Sequence, residues 1–295
     1  MIEPACFGYN AETAVNNAFQ VNTAKDVQQI ALKEFNDIVN LLRSNKINVT
    51  VFKDSIAPPT PDSIFPNNWI SFHDNGSIFI YPMFAANRRA ERNFHIIETL
   101  KQKFNFKSVH DLSAYEKQHL FLEGTGSMVL DRVNRIAYAC LSPRTNTSLL
   151  NRFCAIAGYS SVTFSATDKN DEPIYHSNVM MCMGDRFAVL CLDSIRDISE
   201  RETLISSLKN TGKDIIEISL HQLHSFAGNM LQIINTEGEL LLAMSTRAYS
   251  SLNEVQVNRL NMYSRIIHSS LDCIETAGGG SARCMMAEIF HKKKP

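Results

Sequence analysis

The sequence predicts an α/β fold: a five-fold pseudo-symmetric propeller of ββαβ units that forms a single domain over residues 1–295. The main observation is a repeat of short apolar segments, each opening on a residue that can take part in chemistry. They begin at Asn68, Glu123, His176, Asn229 and Cys284, in steps of 55, 53, 53 and 55 residues. Such a period is typical of architectures that repeat one unit. Repeats around an axis bring equivalent positions together, so we expect these five residues to converge.

The first unit contributes a helix and a strand. Thr23 is a candidate N-cap, because its hydroxyl can accept a hydrogen bond from an N–H group of the first turn. The apolar residues that follow have helical spacing and share one face. They are Val27, Ile30, Leu32, Phe35, Ile38, Val39 and Leu42. A strand is predicted at V-T-V-F from Val49, because these residues favour strands.

The second to fifth units repeat one order: strand, tight turn, strand, helix, strand. In the second unit, Asn75 and Gly76 form a pair typical of a hairpin turn, and a strand follows from Ser77. The later turns are predicted near Asn134, Gly184 and Gly238. The helices of these four units are predicted at 89–100, at 149–156, from Ser199 and at 255–260.

Two predicted strands have no neighbour along the chain. They are A-C-F-G-Y at Ala5 and C-M-M-A-E-I-F at Cys284. We predict that they pair as a hairpin, so that the N-terminal strand closes the ring and removes exposed sheet edges. The proline-rich stretch from Ser55 to Pro66 is predicted as an irregular loop that leads into the site.

Composition excludes several classes of protein. A hydrophobic content of 44%, a charged content of 20% and a net charge of −1 indicate an ordinary globular protein without a field that would attract nucleic acid or a membrane. No apolar stretch approaches the roughly 20 residues of a membrane-spanning helix. Seven cysteines without a C-x-x-C pair argue against a disulfide framework or a zinc ribbon. We therefore expect a cytoplasmic protein with reduced thiols, and the basic run at residues 291–295 is expected to be a solvated tail.

Three residues carry the predicted chemistry. Cys284 follows G-G-G-S-A-R, where glycines allow a ligand to approach the backbone closely and Arg283 can favour a thiolate. His176 and Glu123 open equivalent segments and complete a set of nucleophile, acid/base and orienting carboxylate. The alternative is a buried structural cysteine, which is the usual fate of this residue type. His221 and His224 have no third ligand in view, so neither a metal nor another cofactor is expected.

At these positions the chain resembles the guanidine-modifying superfamily, whose members have the pentein fold. G-G-G-S-A-R-C resembles the nucleophile motif of that superfamily, and L-E-G-T-G with S-P-R-T-N resembles motifs of dimethylargininases. H-S-N at His176 matches a His-x-Asp motif with Asn178 in the aspartate place. F-P-N-N at Phe65 matches a Phe-x-Arg-Asp motif with Asn68 in the aspartate place. The resemblance covers essentially the whole chain.

The resemblance implies a role for each matched residue. Cys284 would attack the planar carbon of the substrate, His176 would protonate the leaving amine and then activate water, and Glu123 would orient His176. The residues implied in binding a small amino-acid substrate are Phe65, Asn68, Asn178, Arg144, which would hold its carboxylate, and Arg88 or Arg89, which would share that task. A solvated arginine at the start of a helix is the alternative for Arg88 and Arg89. The resemblance leaves open whether the protein forms a homo-oligomer.

The departures from the family pattern indicate the substrate. Relatives that act on arginine-like substrates commonly hold the guanidinium with two aspartates, whereas this chain has Asn68 and Asn178. Burial of a cation without a countercharge is costly, and a neutral ureido group avoids that cost. The sequence also resembles the citrulline-hydrolase (ureidase) branch, including Y-N-A-E-T-A-V-N-N-A-F-Q at Tyr9. We expect hydrolysis of citrulline to ornithine, carbon dioxide and ammonia through a thioester-type intermediate on Cys284.

Other activities stay open at this point. Succinylarginine dihydrolases also have an asparagine near the first position, and Glu123 supplies negative charge, so an arginine deiminase or a dimethylargininase-like amidinohydrolase is the main alternative. An amidinotransferase would need a site for a second amine, which nothing in the sequence marks. A catalytically silent pentein that serves as a binding module is disfavoured by the joint presence of Cys284, His176 and Glu123.

Overall fold

The protein is described by a computed structural model, which covers residues 1–22 and 26–290. The predicted N-cap Thr23 and the predicted solvated tail at residues 291–295 lie outside the described residues. Within them, no helix is both long and apolar enough to cross a membrane.

Strands and helices alternate along the chain. The strands are β1 (Ile2–Glu3), β2 (Phe52–Lys53), β3 (Ile70–Phe72), β4 (Ser77–Ile80), β5 (Ser108–Asp111), β6 (Val129–Asp131), β7 (Ile136–Cys140), β8 (Ser160–Phe164), β9 (Met181–Met183), β10 (Phe187–Leu190), β11 (Asp214–Glu217), β12 (Leu231–Ile234), β13 (Leu240–Ser245) and β14 (Arg265–Ser269). The α-helices are α1 (Ala11–Ala14), α2 (Val27–Ser44), α3 (Phe94–Lys103), α4 (Gly124–Ser127), α5 (Thr147–Ala157), α6 (Ser177–Met180), α7 (Ile198–Asn210), α8 (Leu220–His224), α9 (Thr246–Ser251) and α10 (Glu254–Asn261). The 3₁₀-helices are Pro66–Asn68, Asn87–Glu91, Ser113–Gln118 and Leu192–Ser194, and Ile274–Gly278 is a π-helix.

Four three-stranded sheets share one topology. Their strand orders are β3-β4-β5, β6-β7-β8, β11-β10-β9 and β12-β13-β14. In each, the first two strands along the chain form an antiparallel hairpin, and the third along the chain returns through a helix to pair in parallel with the second. The crossover helices are α3, α5, α7 and α10, whose apolar sides are buried. The molecule is therefore a mixed α/β protein, and the predicted strand–turn–strand–helix–strand order is found in all four of these sheets.

The predicted hairpin between the two ends of the chain is wrong. β1 pairs in parallel with β2, and within the described residues no ladder joins the segment at Ala5 to the one at Cys284. The physical reason lies in local hydrogen bonds. The N–H groups of Cys284, Met285 and Met286 bond to carbonyls three residues earlier in a turn, so they are unavailable to a neighbouring strand. At the other segment, the side chain of Gln28 donates a hydrogen bond to Pro4 O and accepts one from Phe7 N, so these backbone groups are also engaged.

Short helical turns separate the predicted site residues from their strands. Glu123 and His176 occupy the N-cap positions of α4 and α6, and β6 and β9 begin only after those turns. Asn68 ends the 3₁₀-helix that precedes β3. The predicted helix at 89–100 is also divided, because Asn93 accepts a hydrogen bond from His95 N and starts α3 as a new helix. The residues at the ends of these turns, Asn68, Glu123 and His176, are all buried in the interior.

Candidate functional site

Matching serines hold two of these turns. Ser127 Oγ accepts a hydrogen bond from Glu123 N at 2.8 Å and donates one to Arg144 O at 2.7 Å. In the next unit, Ser177 Oγ accepts from Cys140 N at 2.7 Å and donates to Ser127 O at 2.6 Å. These buried hydroxyls therefore join the two turns directly, which fixes the positions of Glu123 and His176 relative to one another.

Glu123 and His176 form a buried hydrogen-bonded pair. Nε2 of His176 lies 2.8 Å from Oε2 of Glu123, and Oε1 of Glu123 accepts a hydrogen bond from Phe84 N at 2.9 Å. Because a carboxylate only accepts, we assign the hydrogen to Nε2, which leaves a lone pair on Nδ1. Gly126 makes room for the pair, and Gly124 supplies the backbone conformation that follows Glu123. Gly124 has φ +48°, and a Cβ on Gly126 would lie 2.7 Å from His176 Nδ1 and 2.4 Å from Asn68 Nδ2.

The charges around the pair fix its protonation. Burial opposes ionisation of Glu123, but the nearby charge of Arg144, whose Nη1 is 3.5 Å from Oε2, and the bond from His176 lower its pKa below the ordinary range. Burial lowers the pKa of His176 to about 4, an effect that Glu123 opposes and that Arg144 and Arg88 reinforce. At neutral pH the pair is therefore a carboxylate and a neutral imidazole.

Cys284 receives two amide donors. The residue is 3% exposed, and Nδ2 of Asn178 and Nδ2 of Asn229 lie 3.3 Å and 3.2 Å from its sulfur. Asn178 is otherwise incompletely satisfied, because its Oδ1 is buried and has no hydrogen-bond partner. No hydrogen bond joins Cys284 and His176 within the described residues, although both line one cavity. Hydrogen bonds between catalytic groups are often long in a protein without substrate and shorten only when substrate binds.

The glycine-rich loop before Cys284 packs on Phe65. A Cβ on Gly278 or Gly280 would lie 2.9 Å from carbons of the Phe65 ring, so neither position has space for a side chain. Gly279 has φ +67°, which a residue with a side chain rarely adopts, and its carbonyl accepts a hydrogen bond from Tyr175 Oη at 2.6 Å. The loop is thus placed by an aromatic ring and by one buried hydroxyl.

Arg144 is held by the N-terminal segment. Its Nε donates to Asn16 Oδ1 at 2.8 Å, and its Nη2 donates to Thr13 O at 2.7 Å and also to Asn16 Oδ1. The guanidinium carbon lies 4.8 Å from the ring centroid of Tyr175. Within the described residues, Nη1 makes no hydrogen bond and lies 3.5 Å from Oε2 of Glu123.

Arg88 is almost fully buried, which differs from the solvated helix-start arginine that the sequence left as an alternative. It is 2% exposed and makes two bonds to the carboxylate of Glu91, at 2.8 Å and 2.9 Å. Its Nη1 donates to Asn68 Oδ1 at 2.8 Å. Arg89, in contrast, is about one-third exposed and contacts Glu116 and the carbonyls of Met83 and Phe84.

Asp62 is a site residue that the sequence analysis missed. It lies in the proline-rich loop, is 2% exposed and lines the same cavity as Cys284. Its Oδ2 accepts hydrogen bonds from Asn10 and Thr13, whereas its Oδ1 is buried without a partner. Burial raises the pKa of Asp62, and the charge of Arg88 opposes this effect. The P-D pair next to F-P-N-N was the available signal, but Asp62 falls outside the repeat.

These residues surround one small cavity. Its volume is about 10 Å³, which is room for about one water molecule. It is lined by Thr13, Asn17, Asp62, Phe65, Asn68, Arg88, Arg144, Tyr175, His176, Gly278, Gly279, Gly280 and Cys284. Of the predicted residues, Glu123 lies behind His176 and Asn178 lies against the sulfur. The five repeat positions do converge, because Asn229 also reaches the sulfur. No group of three or more His, Cys, Asp or Glu in the described ranges could hold a metal ion.

Comparison with known proteins points to one family. A family model described as N,N dimethylarginine dimethylhydrolase, eukaryotic, matches residues 3–291. A comparison with curated proteins finds no match.

Several solved structures share the architecture. The N-terminal domain of ArgZ bound to product, described as an arginine dihydrolase from the ornithine-ammonia cycle in cyanobacteria, is 16% identical over 99% of this chain and 98% of its own, with a TM-score of 0.76. Unliganded AgrE is 17% identical over 99% of this chain and 39% of its own, with a TM-score of 0.74. A variant of dimethylarginine dimethylaminohydrolase, as an adduct with S-methyl-L-thiocitrulline, is 16% identical over 96% of both chains, with a TM-score of 0.65.

At these identities the structural likeness establishes the fold alone, while the family match spans nearly the whole sequence. The protein therefore belongs to the N,N dimethylarginine dimethylhydrolase family, within the pentein superfamily, and is a hydrolase of carbon–nitrogen bonds.

Proposed function

We propose that the protein hydrolyses the ureido group of citrulline and releases ornithine, carbon dioxide and ammonia, with Cys284 as nucleophile. The observation that carries this proposal is the pair of buried, unpartnered acceptors in the site, Asn178 Oδ1 and Asp62 Oδ1. Asn178, whose amide is neutral, lies beside the sulfur, whereas the carboxylate of Asp62 lies elsewhere on the cavity wall. A substrate with a neutral N–H-bearing head and a cationic amine fits these acceptors without an uncompensated buried charge.

The amino-acid end of citrulline has matching partners. Arg144 carries a guanidinium whose Nη1 is the least engaged of its nitrogens, and we assign the substrate carboxylate to it. Asp62 would accept the substrate ammonium at Oδ1, which offsets the cost of keeping a buried carboxylate ionised. Asn68 and Asn178 would hold the ureido group, and Phe65 would support the wall of the cavity. We assign Arg88 to holding Asn68 in place, because its N–H groups are already directed at Glu91 and Asn68.

In the first half of the proposed reaction, His176 Nδ1 accepts the thiol proton of Cys284 while the sulfur forms a bond to the ureido carbon. The bond from that carbon to the side-chain nitrogen then breaks, and the imidazolium returns the proton to this nitrogen. Ornithine leaves as the amine, and the carbamoyl group stays on the sulfur as a thioester-type intermediate. Glu123 holds the imidazole in the required tautomer and balances its transient charge.

In the second half, His176 removes a proton from water, and the hydroxyl oxygen bonds to the carbamoyl carbon. The carbon–sulfur bond breaks, its electron pair returns to the sulfur, and the imidazolium gives its proton to that sulfur, which restores the thiol and the neutral imidazole. The product is carbamate, which decomposes to carbon dioxide and ammonia. Atoms balance with one water for hydrolysis of the ureido group, and no electron donor or acceptor is required.

The pH dependence of activity tests the resting state of His176. We expect kcat/KM to stay nearly constant between pH 5 and pH 7 and to fall on the acid side near pH 4, because burial keeps the imidazole neutral and able to accept a proton above its pKa of about 4. Rates would be measured in overlapping buffers, with circular dichroism to confirm that the protein stays folded. An acid limb near the ordinary histidine pKa of about 6.5 would contradict this assignment.

A second candidate function is hydrolysis of arginine or a methylated arginine. The specific observation in its favour is the presence of two buried carboxylates at the site: Asp62 lines the cavity, and Glu123 lies behind His176. The likeness to ArgZ, described as an arginine dihydrolase, points in the same direction. Glu123, however, is already bonded to His176 and Phe84 N and lies near two arginines, so little of its charge is left for a substrate cation.

A product assay separates the two candidates. Purified protein would be incubated separately with citrulline, arginine, agmatine and dimethylarginine, and the products ornithine, citrulline and ammonia would be resolved. Ornithine from citrulline, with no product from arginine, is the expected result. Citrulline from arginine would establish a deiminase instead. Ornithine from both substrates would indicate a dihydrolase that passes through citrulline.

The charge argument makes a prediction about selectivity. Asn68→Asp combined with Asn178→Asp should raise the affinity for arginine relative to citrulline at least about tenfold, because a countercharge then faces the cation. Binding would be measured calorimetrically in a Cys284→Ala background, so that effects on the nucleophile do not contribute. Asn253→Asp, the same change at the N-cap of α10, is the control. An unchanged ratio of the affinities for arginine and citrulline would contradict the argument that Asn68 and Asn178 select a neutral head group.

Two further features accompany the proposal. We infer that the five sheets stand as the blades of a propeller around the cavity, since equivalent positions of all the repeats meet there. We also infer a cytoplasmic location, because all seven cysteines are free thiols, which suits a reducing compartment.

A further inference from the structure

We propose that Asn229 is a further catalytic residue, whose amide donates to the sulfur of Cys284 and stabilises its negative charge in both half-reactions. This inference rests on the proposed role of Cys284 as nucleophile. No motif match singled out Asn229, which entered the sequence analysis only as the opening residue of one repeat. Its side chain nevertheless touches the reacting atom, at 3.2 Å from Nδ2 to Sγ.

The orientation of this amide is fixed by its other partners. Oδ1 of Asn229 accepts a hydrogen bond from Arg283 N at 3.0 Å, and Nδ2 donates to Asn178 O at 2.8 Å as well as to the sulfur. A flipped amide would place its oxygen against a carbonyl oxygen and its NH₂ group against an N–H group. Both contacts would be repulsive, so the network allows one orientation only, with a donor directed at the sulfur.

Asn178 differs from Asn229 in this respect. It also donates to the sulfur, at 3.3 Å, but its Oδ1 has no partner, and its own orientation is therefore open to change when a substrate arrives. Asn229 is buried, 1% exposed, and keeps its donor in place whether or not Asn178 turns toward the substrate. The two amides thus have different roles: Asn178 can turn to bind the substrate, whereas Asn229 continues to donate to the sulfur.

The fixed amide donor of Asn229 can stabilise negative charge on the sulfur at two points of the reaction. Negative charge is present on the sulfur when it attacks the ureido carbon, and it returns when the carbon–sulfur bond of the carbamoyl intermediate breaks. Hydrogen bonds to a charged acceptor are stronger than those to a neutral one, so a preorganised N–H group favours the thiolate over the thiol at each of these points. The hydrogen bond from Arg283 N to Asn229 Oδ1 also holds the residue before the nucleophile, which keeps the Asn229 donor and the sulfur in position relative to one another.

The test measures alkylation of Cys284 by iodoacetamide as a function of pH, without any substrate. Asn229→Ala removes the donor. Asn229→Asp keeps the acceptor for Arg283 N and replaces the donor by an anionic oxygen. We expect alkylation at pH 7 to slow about tenfold in Asn229→Ala and by more in Asn229→Asp, with the midpoint of the pH profile displaced upward by about one unit or more. Asn253→Asp, at an exposed helix N-cap, serves as the matched control and should behave as wild type.

Each outcome is decisive. Thermal unfolding of every variant would be recorded, and thiolate absorbance near 240 nm would be followed as a second measure that needs no reagent access. A loss of stability alone would leave the pH profile in place, whereas loss of the sulfur donor moves it. Profiles of both Asn229 variants that superimpose on wild type would overturn the inference while leaving the nucleophile assigned. If native wild-type Cys284 fails to react but reacts once denatured, the proposed function falls together with the inference.

Discussion

Replacement of Cys284 by alanine is expected to lower the turnover of citrulline at least about 10⁴-fold while the protein stays folded. The proposed reaction forms a covalent bond to this sulfur, and no other thiol among the lining residues could replace it. Asn229 keeps its hydrogen bond to Asn178 O, and the space left by the thiol can admit water to the Asn178 amide, so the cost in stability should be small.

The measurement is ornithine release together with thermal unfolding. Cys6→Ala, which removes a partly exposed thiol outside the site, is the control and should retain full activity. In wild-type protein quenched with acid during turnover, mass spectrometry should find a carbamoyl group on the peptide that contains Cys284. Substantial turnover by Cys284→Ala, or a carbamoyl group on a different residue, would remove Cys284 as the nucleophile.

Glu123→Gln should have the second largest effect, a loss of about 10³ to 10⁴ in kcat. The glutamine has nearly the same shape, but its amide can turn an NH₂ group toward His176 Nε2 and so favour the wrong tautomer. It also removes the carboxylate that balances imidazolium during the reaction. Arg144 and Arg88 lose a neighbouring charge at 3.5 Å and 3.9 Å, so a lower unfolding temperature is expected as well.

A matched control separates the two effects of Glu123→Gln. Glu116 is a mostly buried carboxylate that pairs with Arg92 and accepts a hydrogen bond from Met83 N, outside the cavity. Glu116→Gln should therefore destabilise the protein and leave kcat close to wild type. If the two variants lose activity in proportion to their loss of stability, Glu123 has no role beyond packing.

The sequence predicted what depends on the repeat. The period of the strand-opening residues predicted five units, four of which have the predicted sheet topology, and the meeting of Asn68, Glu123, His176, Asn229 and Cys284. It also predicted strands directly after these residues, which was inaccurate because Glu123 and His176 each cap a short helical turn first. Apolar segments alone do not distinguish a strand from a helical turn that leads into one.

What the sequence missed depends on contacts between distant segments. The Cys284 segment has the composition of a strand, yet its N–H groups bond locally in a turn. Asp62 stands in an irregular loop, where no periodicity draws attention to it, and its importance comes from burial against Asn10 and Thr13. The burial of Arg88 was not predicted either, although Glu91 three residues later was a signal for an ion pair.

The groups that build the cavity are far apart along the chain. This separation affects when activity returns during refolding. Arg144 bonds to Asn16 across 128 positions, and Gln20 bonds to Gly278 across 258. Contacts of such long range form late, because the entropy of closing long loops must be overcome before they become favourable. During refolding, each sheet and its helix can therefore form before the catalytic centre exists, and enzymatic activity returns after most of the secondary structure.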